Sequence, residues 1–354
     1  MSVFYPQSMK VHCLKARTAI TLSWVLWSSG YYLYYPFYSL VAERVVGEAG
    51  LGRLYFFVTV VNVFLPLLGA LIGERLGVRL TIPVSMALSG LGVAFIPLAD
   101  SPATLYLSSV VSFAFFLGLP SYYAVMSKLG EGTISFVWAV SLLPSLVFPT
   151  LGGSIGQYFG FTPDFALAGI LVVLAGLFTL SLGDVRERGR LHRPSIIPML
   201  VIVPISVISP FFTPILSSLG LDYQDIGVLI SASELLGMFM ALYLRKLGSL
   251  GLAISLLVFS MVYLTSVNPW LGVTYGAWEA IIPLSLDYAV NDKTIRGYSV
   301  TISSQQVGWL VGYAVDAVLG DPGLLLTISS VISLALAALS VPLTRRALQG
   351  RRAS

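Results

Sequence analysis

The sequence predicts an all-α membrane protein whose twelve transmembrane helices form two parallel-repeat six-helix bundles. Three observations carry this. Apolar residues make up 56% of the chain and charged residues 10%, with a mean hydropathy of +0.88; a soluble domain carries about 25% charged residues. Apolar stretches near the roughly 20 residues needed to cross a hydrocarbon core recur twelve times. The basic residues fall in alternate loops, as they do when one side of a membrane retains them.

The predicted spans are 18–41, 54–72, 80–98, 104–126, 134–154, 166–183, 195–215, 227–244, 250–266, 271–290, 297–318 and 324–344. With the N-terminus in the cytoplasm, eighteen of the twenty Lys and Arg residues lie on the cytoplasmic side. Only Arg44 and Arg53 fall outside, in one loop beside Glu43 and Glu48. This places both termini in the cytoplasm of a cell-membrane protein. No cleavable signal peptide is expected, and Met9 is an alternative start to Met1.

The charged segment 184–194 divides the chain into residues 1–183 and 195–354, with six spans in each. Arg75-Leu76-Gly77 in the first half recurs as Lys246-Leu247-Gly248 in the second, which suggests a repeat in the same orientation. Spans three, six, nine and twelve hold no ionisable residue in their interiors and are expected to face lipid. Polar groups inside the membrane occur instead on spans two, eight, ten and eleven, as Asn62, Glu234, Glu279, Gln305 and Gln306. Such groups are costly in lipid unless satisfied, so these helices should line the interior.

Several function classes are disfavoured. His12 and His192 lie in connecting segments, no His falls in a span, and Cys13 stands alone, so neither a metal site nor an internal disulfide is expected. No nucleophile–base constellation marks an enzyme, and no phosphate-binding loop marks an ATP-driven pump. Neither a cofactor nor a nucleic-acid partner is implied.

The turn after span two reads Gly73-Glu74-Arg75-Leu76-Gly77-Val78-Arg79, span five contains Pro149-Thr150-Leu151-Gly152-Gly153, and Gln224-Asp225-Ile226-Gly227 precedes span eight. In order and position these resemble signatures of the major facilitator superfamily, with Glu74 where that family usually has Asp. The Pro149–Gly153 element resembles the family's antiporter motif. The resemblance covers nearly the whole chain. It implies a secondary transporter, acting as a monomer in the lipid bilayer on a small-molecule substrate.

The motifs also have a physical reading. Glu74, Arg75 and Arg79 lie on a tight turn at Gly77, where charges can pair with helix ends and neighbouring turns and latch one conformation. Pro149 invites a kink, and Gly152, Gly153 and Gly156 allow close helix approach.

For transport itself, Glu279 is the first candidate, on the order of 12 Å into span ten, on one α-helical face with Gly272 and Tyr275. Glu234 reaches a similar depth on span eight. Two carboxyls at one depth, with no Lys or Arg in any span interior, cannot cheaply both be ionised, which suits proton coupling. On span eleven Thr301, Gln305, Gly308 and Gly312 form a polar-to-small stripe. On span one Trp24, Trp27, Ser28, Tyr31, Tyr35 and Tyr38 form an aromatic stripe. Tyr35 and Tyr38 are expected at the membrane interface, whereas Trp27 and Tyr31 are deep enough to stack on a substrate or cation. Asp316 is expected to be interfacial, and Asp287 to pair with cytoplasmic charge. The expectation is proton-coupled export of a lipophilic or cationic small molecule. Uptake of a neutral polar solute such as a sugar, through Gln305, Gln306 and Asn62, is the alternative, and a non-transporting receptor or scaffold the second alternative.

Overall fold

The computed structural model describes residues 7–130, 133–183, 186, 189, 196–286 and 293–353. Asp287 and most of the 184–194 linker lie outside the described residues. Twelve helical spans run back and forth in chain order. Span one is a single helix, Gln7–Val46. Span two is Glu48–Asn62 continued by Leu65–Leu76, span three Val78–Leu98, and span four Pro102–Ser112 continued by Phe115–Lys128. Span five is Thr133–Ser145 continued by Phe148–Phe159, and span six Phe161–Thr179.

In the second half, span seven is Ile196–Ile208 continued by Phe212–Ser218, and span eight Tyr223–Leu244. Span nine is Ser249–Ser266. Span ten is a 3₁₀ stretch, Pro269–Ala277, running into the α-helix Trp278–Leu286. Spans eleven and twelve are Ile295–Leu319 and Pro322–Ala353.

Three breaks inside spans have a common cause. They fall at residues 63–64, 146–147 and 209–211, at or just ahead of Pro66, Pro149 and Pro210. Proline cannot donate to the helix ladder, and it pushes the preceding residue away from α geometry. Among the described residues, nine spans are long and apolar enough to cross a bilayer by length and composition alone. Spans one, ten and eleven are not among them; they are the aromatic, carboxyl-bearing and Gln-bearing ones.

Span three packs along span six, and span nine along span twelve. Gly90 and Gly169 lie so close that a Cβ on either would press on the other's carbonyl. Their outward faces carry exposed Leu80, Val84, Leu88, Leu250, Leu257 and Leu334, as lipid-facing helices should. Two seams join spans one to six with spans seven to twelve: span five on span eight, and spans two and four on span eleven. At the first, a Cβ on Gly153 would meet the Tyr223 backbone, and one on Gly227 the Pro149 carbonyl. Thr150 and Ser231 hydrogen-bond across it at 2.9 Å. Gly77, with φ 83°, makes the turn between spans two and three, a conformation that favours glycine.

Candidate functional site: an aromatic chamber with a carboxyl pair

Between the seams lies a cavity of about 160 Å³, joined through shared lining residues to a second lobe of about 50 Å³. At roughly 10–15 Å³ per water position, the larger lobe holds on the order of ten waters. Its walls come from spans one, two, four, five, ten and eleven, and the smaller lobe adds spans seven and eight. Spans three, six, nine and twelve contribute nothing to either lobe, as expected of a peripheral set.

Five of the six tryptophans line this chamber: Trp24, Trp27, Trp138, Trp278 and Trp309. Trp27 stacks on Tyr31 at 5.4 Å, and Tyr31 on Tyr35 at 4.5 Å. Tyr35 and Tyr38 are therefore chamber residues rather than interface anchors. Tyr38 is buried and donates to Ser109 at 2.6 Å. The stripe repeats every three to four residues on a helix long enough to carry it past the whole chamber, so all six of its members face inward.

Glu279 lines the larger lobe and Glu234 the smaller. Each is 3% exposed, and spans eight and ten pack together beside them, with the Glu279 Cβ facing Gly237 of span eight. Two buried carboxyls on facing spans cannot cheaply both be ionised. The Tyr32 hydroxyl donates to Glu279, and the Trp278 indole N–H donates to Glu234 at 3.2 Å. Among the described residues no Lys, Arg or His lines either lobe, and Glu234 and Glu279 are the only acidic groups that do.

Gln305, Gln306 and Asn62 all line the larger lobe and are buried. The Asn62 Oδ1 and Gln305 Nε2 atoms have no partner among the described residues. Tyr275 lies in the smaller lobe, stacked on Phe212 at 4.1 Å. It shares this lobe with Tyr35 and with Ser209, which lies in the break of span seven. The α-helical face expected for Gly272, Tyr275 and Glu279 is not formed. Gly272 and Tyr275 sit in 3₁₀ geometry and Glu279 in the α-helix that follows. Asp316 is buried rather than interfacial: it is 1% exposed, and neither carboxyl oxygen has a partner among the described residues. The close crossing of span two at Gly52 covers it.

At the end where span one begins, Glu74 binds Arg296 of span eleven at 2.6 and 2.7 Å, and Tyr123 stacks on Tyr298 at 5.3 Å. Arg75 and Arg79 are exposed. Glu74 therefore makes the cross-seam contact, with a partner 222 residues away. Arg296→Gln is expected to speed thiol labelling of a Ser121→Cys reporter severalfold, with Cys13→Ser in the background. The effect stays modest because the guanidinium is 31% exposed. An unchanged labelling rate would remove the latch role.

Tyr32 and Trp278 were not singled out by sequence reasoning; Trp278 adjoins Glu279 in the chain, but nothing near Tyr32 in sequence links it to a carboxyl. Tyr32→Phe removes a donor to a carboxyl, an interaction worth about 1.5–3 kcal/mol. It is expected to slow coupled transport at least tenfold with little change in Tm. Full retention of transport would show the bond to be incidental.

The course of the chain matches solved transporters. The D-xylose-proton symporter superposes with a TM-score of 0.69 at 15% identity, over 93% of this chain and 97% of that one. The human organic anion transporter MFSD10 (TETRAN) gives 0.66 at 16% identity, over 95% and 100%. The nucleoside transporter NupG gives 0.63 at 14% identity, over 96% and 98%. The fold is the major facilitator fold. No family model and no curated protein matches the sequence. The chamber lies between the two seams that join spans one to six with spans seven to twelve.

Proposed function

We propose that this protein is a secondary transporter working by alternating access, which exports a lipophilic or cationic small molecule in exchange for protons. Residues 1–183 and 195–354 are the two rocking units, joined by the 184–194 linker. The protein works as a monomer in the cell membrane with both termini in the cytoplasm. The observation that carries this reading is the chamber wall. Fifteen of its twenty-five lining residues in the larger lobe are aromatic, and its one charged group is the Glu279 carboxyl. Aromatic faces attract cations by about 0.5–2 kcal/mol each, and an anion would meet no basic partner.

In the cycle, the carboxyl pair holds protons while the chamber is empty and releases one when a cation enters. The cation then neutralises the charge left behind. Glu74–Arg296 closes one end of the chamber, and the crossing of spans five and eight closes the other. Gln305, Gln306 and Asn62 supply hydrogen bonds to the polar part of the solute, and Trp27, Tyr31 and Tyr275 supply stacking faces.

Intrinsic tryptophan fluorescence tests the substrate class, because five of six tryptophans line the chamber. A tetraarylphosphonium cation, a pentose and an aryl sulfonate are titrated in turn. Saturable quenching by the cation alone, with affinity rising as pH rises, is expected. Quenching by the pentose alone would instead favour a neutral solute bound through Asn62 and Gln305, whose orphaned atoms point the same way.

A further inference from the structure

Trp24 differs from its chamber neighbour Trp278 in the use of its indole N–H. The Trp278 N–H is taken by Glu234, but the Trp24 Nε1 has no partner among the described residues. Trp24 is 1% exposed, and a buried indole N–H usually finds an acceptor. Its ring sits in an aromatic box, 5.1 Å from Trp27, 5.2 Å from Tyr122 and 5.9 Å from both Tyr123 and Trp138. Trp24 also lines the larger lobe.

The position of this donor sets a distance. Tyr32, which binds Glu279, lies eight residues further along the same unbroken helix, about 12 Å away at 1.5 Å per residue. One end of the chamber therefore carries a carboxyl pair. The other carries an aromatic box in which the Trp24 N–H is a buried donor without a partner among the described residues, and none of the box residues is charged.

We infer that this box is a subsite for an aryl group bearing a hydrogen-bond acceptor, and that the substrate is an elongated organic cation. Its charged nitrogen and its acceptor oxygen are separated by on the order of 10 Å. The inference rests on the proposed function for the cationic pole, whereas the Trp24 pole stands on its own geometry. A compact cation would leave the Trp24 N–H unpaired and fill only half the chamber. A simple hydrocarbon tail would fill the box and leave the donor buried without a partner.

The test uses matched probes and calorimetric affinities on the purified full chain. One series is trimethylammonium-alkyl aryl ketones of stepwise chain length, set against alkylarenes in which CH₂ replaces the carbonyl. A neutral aryl ketone and its alkylarene are included. The ketone is expected to bind roughly tenfold more tightly than its alkylarene, with a length optimum where nitrogen and oxygen are on the order of 10 Å apart. Trp24→Phe keeps an aromatic ring and removes the donor. It should bring the ratio of ketone to alkylarene affinity to about one, whatever loss of ring contact the two probes share.

Equal binding of ketone and alkylarene, a preference that survives Trp24→Phe, or no binding by any probe would overturn the subsite. If only the quaternary probes fail while the neutral ketone keeps its Trp24-dependent preference, the cationic pole is wrong and the acceptor subsite stands.

Discussion

Replacing Glu279 by Gln is expected to abolish proton-linked transport while leaving the fold intact. The amide is nearly isosteric with the carboxyl and still accepts from the Tyr32 hydroxyl, so the contact between span one and span ten survives. What it cannot do is gain or lose a proton. Glu234, held by the Trp278 indole, would remain as the one carboxyl of the pair. Coupling between two ligands is typically worth about 5- to 150-fold in affinity, and the pH dependence of cation binding should weaken by a factor in that range. Retention of the parent pH dependence in Glu279→Gln would move the proton site elsewhere.

The second large effect is expected at Gly153. A Cβ there would lie 3.0 Å from the Tyr223 carbonyl carbon and 3.2 Å from the Gln224 Cα. Both are backbone atoms, so no side chain can swing aside to make room. Gly153→Leu should force spans five and eight apart, lower stability by about 1–3 kcal/mol and stop transport. Gly153→Ala and Gly227→Ala act on the same crossing, since Gly227 meets the Pro149 carbonyl. Their combined cost should fall short of the sum of the single costs. Thermal unfolding of the four proteins reads this directly. A fully additive pair, or an active Gly153→Leu, would show that the crossing is looser than the backbone contacts indicate.

The twelve-span architecture was legible because length and hydropathy act locally: a bilayer-crossing helix announces itself in about twenty residues. The chamber residues were legible where cost forces the choice, as for Glu234 and Glu279, whose burial only an interior cavity makes affordable. Which way an aromatic points was less so. Tyr35 and Tyr38 lie near the end of the predicted first span, and only the full Gln7–Val46 helix carries them past the chamber. Asp316 looked interfacial because its covering partner, Gly52, is supplied by a helix far away in sequence.

The Glu74–Arg296 contact was half visible. The turn that holds Glu74 has a recognisable pattern, but no local rule links it to span eleven. The 3₁₀ course of Pro269–Ala277 had no sequence signal beyond Pro269, Gly272 and Gly276. It places Tyr275 against Phe212 by a route that helical periodicity does not predict.

The most direct test of the central claim, that a carboxyl pair exchanges protons for a solute enclosed between two halves, is proton movement in proteoliposomes carrying an internal pH dye. Lipophilic cations, sugars and amino acids are added in turn to the parent protein and to a Glu234→Gln, Glu279→Gln double variant. A proton flux elicited by the cations and absent in the double variant is the predicted result. Binding of the same cations without any proton flux in the parent would contradict the claim and leave a facilitator or a receptor.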